Sequence, residues 1–261
     1  MSDQPWYEAH LLGFDLETTG TDTSTDRPVS FCFVRSDDPN RRVASQLVNP
    51  GIPIPEEATA IHGITNTDVY NEGMPLTDAL DFIVRTLVSM DNKGIPVVGM
   101  NVSFDLKIID SLCKTIYGES LRHYSGWNGY VLDVMVIDRF YDKYRKGSRN
   151  LKTLCEHYGV TVAGDLHDAK TDVLATLGVL HKQIEKYPRI KNMSLSDLYN
   201  GQIRWHGEWA ENYNEYRLSH GQTALDSDTF FWPLRDSVMD YVAPRTPKKM
   251  FVGVGRGSVS R

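Results

Sequence analysis

Cysteine is scarce in this chain. Cys32, Cys113 and Cys155 are its only three in 261 residues, and they stand far apart. They form neither a zinc-binding pattern nor a disulfide framework, and such usage fits a reducing cytoplasm. Long apolar runs are also missing: nothing approaches the stretch of about 18 apolar residues that spans a membrane. The opening Met-Ser-Asp-Gln-Pro-Trp has neither the basic nor the apolar region of a secretory signal. The expectation is a soluble, cytoplasmic protein without membrane contact. Positive charge is in short supply as well, with 28 Lys and Arg against 34 Asp and Glu, a net −6. That balance argues against a protein that holds nucleic acid by coating many phosphates, which relies on clustered Lys and Arg. It leaves open an enzyme that grips one chain end through metal ions.

What is present begins with Leu11-Leu12-Gly13-Phe14-Asp15-Leu16-Glu17-Thr18-Thr19-Gly20. This reads as a buried strand ending in a turn. Side chains alternate along a strand, so Asp15 and Glu17 share one face while Phe14 and Leu16 point to the core. Two like charges on one buried face are costly unless a cation compensates them. The same pair at a strand end could simply reach solvent, so further carboxylates decide the matter.

The rest of the chain reads as an α/β alternation. Pro28 to Arg35 and Arg42 to Val48 read as strands joined by a hairpin turn at Ser36 to Arg41. Glu56 to Asp68 reads as a short helix and a loop. Pro75 opens an amphipathic helix with Leu76, Leu80, Ile83, Val84, Leu87 and Val88 on one face. Strand Ile95 to Gly99, helix Ser103 to Tyr117 and strand Tyr130 to Leu132 follow. Helices are predicted from about Asp133 to Tyr144, Asn150 to Tyr158 and Thr171 to Tyr187. A hairpin set extended by parallel strands implies a mixed five-stranded α/β sheet with helices on its faces. Beyond Pro188 the composition turns aromatic and polar, so residues 1–190 are expected to form one domain and 191–261 a helical extension with a basic tail. In the extension Tyr199, Ile203, Trp205, Trp209, Tyr213 and Tyr216 recur at helical spacing. Such a stripe more often docks a helix onto a core than stacks bases.

The further carboxylates come from two places. Asp105 lies in the first turn of a helix that follows a buried strand, which puts it at the same sheet edge as Asp15 and Glu17 if the strands are parallel. Asp172 opens the long helix. His167 stands five positions earlier, about 500° around a helix, so it belongs to the preceding turn, from where it could swing over the same site as a base. Asp133, Asp138, Asp165 and Asp168 read as caps or surface acids, Asp133 as the cap of the helix after its strand.

The order Asp-x-Glu, Asn-x-x-Phe-Asp, His-x-Ala-x-x-Asp resembles the DEDDh 3′→5′ exonucleases of the DnaQ-like group, which includes the proofreading epsilon subunit of bacterial replicative polymerases. Leu47 to Pro55, Ala60 to Thr65 and Asn150 to Gly159 also look like that family, so the resemblance covers about residues 8 to 184. It implies a ribonuclease H-like fold and two Mg²⁺ or Mn²⁺ ions, with Asp15, Glu17 and Asp172 as ligands and Asp105 contributing directly or through water. It implies His167 as the base. Thr18, Ile61, His62, Asn101 and Phe104 match positions that contact terminal nucleotides, and Ile64 is expected to wedge against them. The substrate implied is the 3′ end of DNA, single-stranded or mismatched, with a DNA polymerase as a conceivable partner. Trimming of RNA ends or short oligoribonucleotides is the alternative.

Overall fold

The sheet is built outward from a central strand, and its inner strands are buried along most of their length. In the computed structural model, which describes residues 5–36, 43–162 and 168–237, β1 (Leu12–Thr18) buries Phe14 and Leu16 and leaves Asp15 and Glu17 half-buried on the other face. It pairs antiparallel with β2 (Pro28–Arg35), which pairs antiparallel with β3 (Val43–Asn49). A two-residue strand, β4 (Met74–Pro75), lies parallel to β3. On the other side β5 (Val97–Gly99) is parallel to β1, and β6 (Val131–Asp133) is parallel to β5. The order is β4-β3-β2-β1-β5-β6, so the expected mixed sheet carries a sixth strand too short to show a period.

The helices cover the faces and one edge. Residues 56–72 form two helices, α1 (Glu56–His62) and α2 (Asn66–Glu72), the second opened by reciprocal capping between Thr65 and Asp68. The amphipathic α3 (Leu76–Asp91) and α4 (Val102–Tyr117) follow, then the short α5 (Leu121–Ser125) and α6 (Val134–Tyr141). After them come α7 (Leu151–Tyr158), α8 (Ala169–Lys186), α9 (Pro188–Lys191) and α10 (Leu195–Ser219). No helix among the described residues is long and apolar enough to cross a membrane.

The α10 helix shows why the aromatic stripe divides. Tyr199 and Trp205 enter the main core, continuous with Phe14, Leu106 and Val179, and so do Trp232 and Leu234 beyond the helix. Between them, Gln202 lies fully buried against the edge strand. Its Oε1 accepts the Asp133 N–H at 2.7 Å and its Nε2 donates to the Val131 carbonyl at 3.1 Å, so one side chain satisfies groups that a further strand would otherwise meet. Burial along α10 ends at Ala210, and Tyr213 and Tyr216 stand exposed. The hairpin tip at 37–42, His167, Asp165 and the basic tail lie outside the described residues.

Candidate active site

Gly13 sets up the site. It shares the face of Asp15 and Glu17, and a Cβ there would run into the side chains of Val173 and Leu177 on α8. A side chain at this position would hold the helix off, so its absence lets α8 lie close against β1. Asp172, in the first turn of α8, thereby reaches the acids of β1. One carboxylate oxygen from each of Asp15, Glu17 and Asp172 lies within 4.8 Å of the other two. A register shift between Glu17 and Thr18 ends the regular pairing just beyond. The Thr18 hydroxyl then donates to the Gly20 carbonyl at 2.7 Å and tightens the turn.

Asp105 reaches the same strand from α4. It is buried in the first turn of α4, and its Oδ1 accepts the Leu16 N–H at 3.0 Å. That bond ties α4 to the strand segment between the two acids. Asp105 stands outside the tight group of three but close enough to push on Asp15. Burial first, then the charges of Asp105, Glu17 and Asp172, hold the Asp15 carboxyl well above the usual range. Burial, then Asp172 and Asp168, push Glu17 up to about 7. Asp105 is raised by burial too, against the opposing bond from Leu16. Three carboxylates, Asp15, Glu17 and Asp105, are driven upward together beside Asp172, and hard oxygen donors at this spacing suit a divalent cation.

The binding candidates fall into two groups along the chain. His62 and Ile64 line a cleft of about 380 Å³ with Glu17, Ser30, Gln46 and Asp168. The His62 Nδ1 accepts the Ile64 N–H at 3.0 Å, which fixes the ring, and Ile61 is 60% exposed beside it. Asn101 and Phe104 stand at the start of α4, Asn101 exposed with φ of 58° and Phe104 half-buried. Asp168 caps α8 through the Thr171 N–H, as expected.

Two acids that read as caps or surface residues do more than that. Asp133 does cap α6 through the Met135 N–H at 2.9 Å, but the same oxygen accepts the Asn101 N–H at 3.0 Å, and the Trp232 indole sits 3.5 Å from the other. It therefore joins β6, the left-handed residue ahead of α4 and the chain beyond α10. Ser103 closes the same junction by donating to the Pro233 carbonyl at 2.8 Å. Asp138 is neither cap nor surface. It is fully buried, with Arg149 at 2.8 Å, Arg145 at 3.1 Å and the Tyr158 hydroxyl at 2.8 Å. Gly13 had a readable signal, a glycine inside a strand pattern; the partners of Asp138 did not.

Comparison with known proteins fits this geometry. The exonuclease family model RNase_T matches residues 12–180. The chain belongs to the DnaQ-like exonuclease family. It is 30% identical over 184 residues to an uncharacterized exonuclease of Escherichia phage 186, covering 67% of this chain and 88% of that one. It is 29% identical over 193 residues to Exonuclease DPD1 of Arabidopsis thaliana, covering 70% and 58%. A DNA polymerase III subunit epsilon-like protein of Rhodobacter capsulatus is 30% identical over 182 residues, covering 67% of this chain and 24% of its own. The chain thus spans between a quarter and three fifths of two of these relatives. Among solved structures, E. coli Exonuclease I with a dT13 oligonucleotide superposes with a TM-score of 0.56 at 21% identity, over 70% of this chain and 43% of that one. Exonuclease X with 5′ overhanging duplex DNA superposes at 0.54 and 19% identity, over 74% and 99%. These confirm the ribonuclease H-like exonuclease fold.

Proposed function

We propose that the protein is a metal-dependent 3′→5′ exonuclease that releases nucleoside 5′-monophosphates from DNA ends, with residues 1–190 as the catalytic domain and 191–261 as its extension. The observation that carries this reading is the meeting of Asp15, Glu17 and Asp172 within 4.8 Å, with Asp105 beside them, in a chain of the exonuclease family. Asp15, Glu17 and Asp172 would hold Mg²⁺ or Mn²⁺, with Asp105 contributing directly or through water. Bound there, two such ions would neutralise charge on the attacking and leaving oxygens of an in-line displacement.

The chain's own groups do the rest. His167 takes the proton from the attacking water. Thr18 receives the 3′ end, Ile61 and Ile64 wedge against the last base, and His62, Asn101 and Phe104 hold the terminal nucleotides. DNA is favoured because the Exonuclease I and Exonuclease X structures were solved on DNA. The epsilon-like relative makes a polymerase a reasonable partner. A time course on 5′-labelled single-stranded, paired and mismatched DNA and on RNA, with Mg²⁺ or Mn²⁺, tests the reading. Stepwise shortening from the 3′ end, fastest on unpaired DNA, is expected. Cleavage inside a circular strand would overturn it, and faster trimming of RNA would move the substrate to RNA.

A further inference from the structure

The open half of α10 lies outside the 12–180 family match and carries an ordered row of rings. Trp209 and Tyr213 are 5.5 Å apart at 18°, Tyr213 and Tyr216 are 6.4 Å apart at 11°, and His220 lies 4.0 Å from Tyr216. Tyr213 and Tyr216 are 38% and 54% exposed. Guanidiniums flank the row, Arg139 at 3.8 Å from the Trp209 ring and Arg217 at 5.8 Å from that of Tyr213. At about 100° per residue, the four rings fall within about 60° of one another, while Glu208, Glu211 and Glu215 lie about 80° or more away. Rings and cations therefore share one face of a chain that is acidic overall.

The row is rooted beside the catalytic end of the sheet. Arg139 acts on the Asp133 carboxyl, at the end of β6, and Asp133 holds the residue that precedes α4 and Asp105. His206, one turn before Trp209, meets the Thr229 carbonyl at 2.8 Å, and nearby Asp228 pairs with Lys107 of α4 at 2.8 Å.

We propose that Tyr213 and Tyr216 form a stacking track for a single strand of nucleic acid beyond the nucleotides held at the acids. This rests on the exonuclease reading above. Every base has a π-face, so such a track is tolerant of sequence, and the guanidiniums supply local attraction for the phosphates. A second copy of the chain is a poorer occupant. Two exposed rings of about 150–250 Å² each fall short of the roughly 800 Å² per partner of a stable interface.

The test is equilibrium binding of 5′-fluorescein-labelled oligo-dT of about 4, 8 and 16 nucleotides, with metal withheld so that nothing is cut. The intact protein should bind the longer strands more tightly. Tyr213→Ala with Tyr216→Ala should weaken the longest strand by about 10-fold or more and abolish the dependence on length, with an unchanged unfolding temperature. Tyr213→Phe with Tyr216→Phe should restore it, because the π-faces remain. Unchanged affinity in the double alanine variant overturns the track, and so does sedimentation as a dimer that this variant dissociates. A separate cleavage assay on the parent reads the acids, so loss of the exonuclease reading is distinguishable from loss of the track.

Discussion

Among the described residues, two groups of three side chains lie close enough to hold a metal ion, and they are opposites. Asp15, Glu17 and Asp172 lie within 4.8 Å of one another, and so do ligand atoms of Asp138, Asp142 and His157. The second cluster carries its own cations. Arg145 and Arg149 clasp Asp138, and Lys186 lies 2.9 Å from His157 and 3.7 Å from Asp142, which is itself 3.1 Å from His157. In the first, everything acting on Glu17, and on Asp15, raises its pKa, and among the described residues no Lys or Arg pairs with either. Countercharge separates the two groups: cations stand beside Asp138, Asp142 and His157, and among the described residues none pairs with Asp15 or Glu17.

Substitution should have opposite consequences in the two clusters. Asp15→Ala should abolish hydrolysis almost completely and leave the metal-free fold intact or slightly more stable, since it removes a repelling buried charge. Asp138→Ala should do the reverse, costing about 3–5 kcal/mol of stability because two largely buried guanidiniums lose their partner. Turnover and thermal melts on both variants read this, and a destabilised Asp15 variant with near-native turnover would erase the distinction.

The two histidines sharpen it. His167→Ala should lower turnover by roughly 10²–10⁴ while metal binding survives, because a base moves a proton without holding the ion. His157→Ala should leave turnover near native. The rising acid limb of the pH–rate profile should disappear only in the His167 variant.

Such contrasts also mark what the sequence could reveal. Asp15 and Glu17 were legible because strand alternation is local, and Asp172 because a helix start places its own first turn. The site assembled from these needs only parallel strands and one close helix. Asp138 was opaque. Its partners come from a loop and from α7, and nothing in an isolated Asp-Arg-Phe-Tyr run says which face will be covered. Gln202 was opaque for the same reason, since its task exists only once α10 lies on β6. The aromatic stripe was half legible: helical spacing announced a docking helix, but not that burial stops at Ala210.

A subtler break comes from Gly13. Gly13→Val should push α8 away from β1, destabilise by about 1–3 kcal/mol as overpacking does, and lower turnover by displacing Asp172, while Arg145 and Arg149, which are not on α8, keep their hold on Asp138. Crystallography or amide exchange on the variant would locate the change.

Smallest is the pH effect on the metal-free protein. Glu17 sits near 4.5 when unperturbed and near 7 in the fold, so the fold binds its proton more tightly. The stabilisation is complete below about 4.5 and is lost as pH rises through about 7. Melting temperature in chelator should fall across that window, and Glu17→Gln should flatten the fall.

Thermal unfolding with and without Mn²⁺, for the parent, Asp15→Asn and Asp142→Asn, tests the account most directly. A cation that completes the first cluster should raise the melting temperature of the parent and of Asp142→Asn, and leave Asp15→Asn nearly unmoved. An equal rise in Asp15→Asn, or its loss in Asp142→Asn alone, would contradict the account.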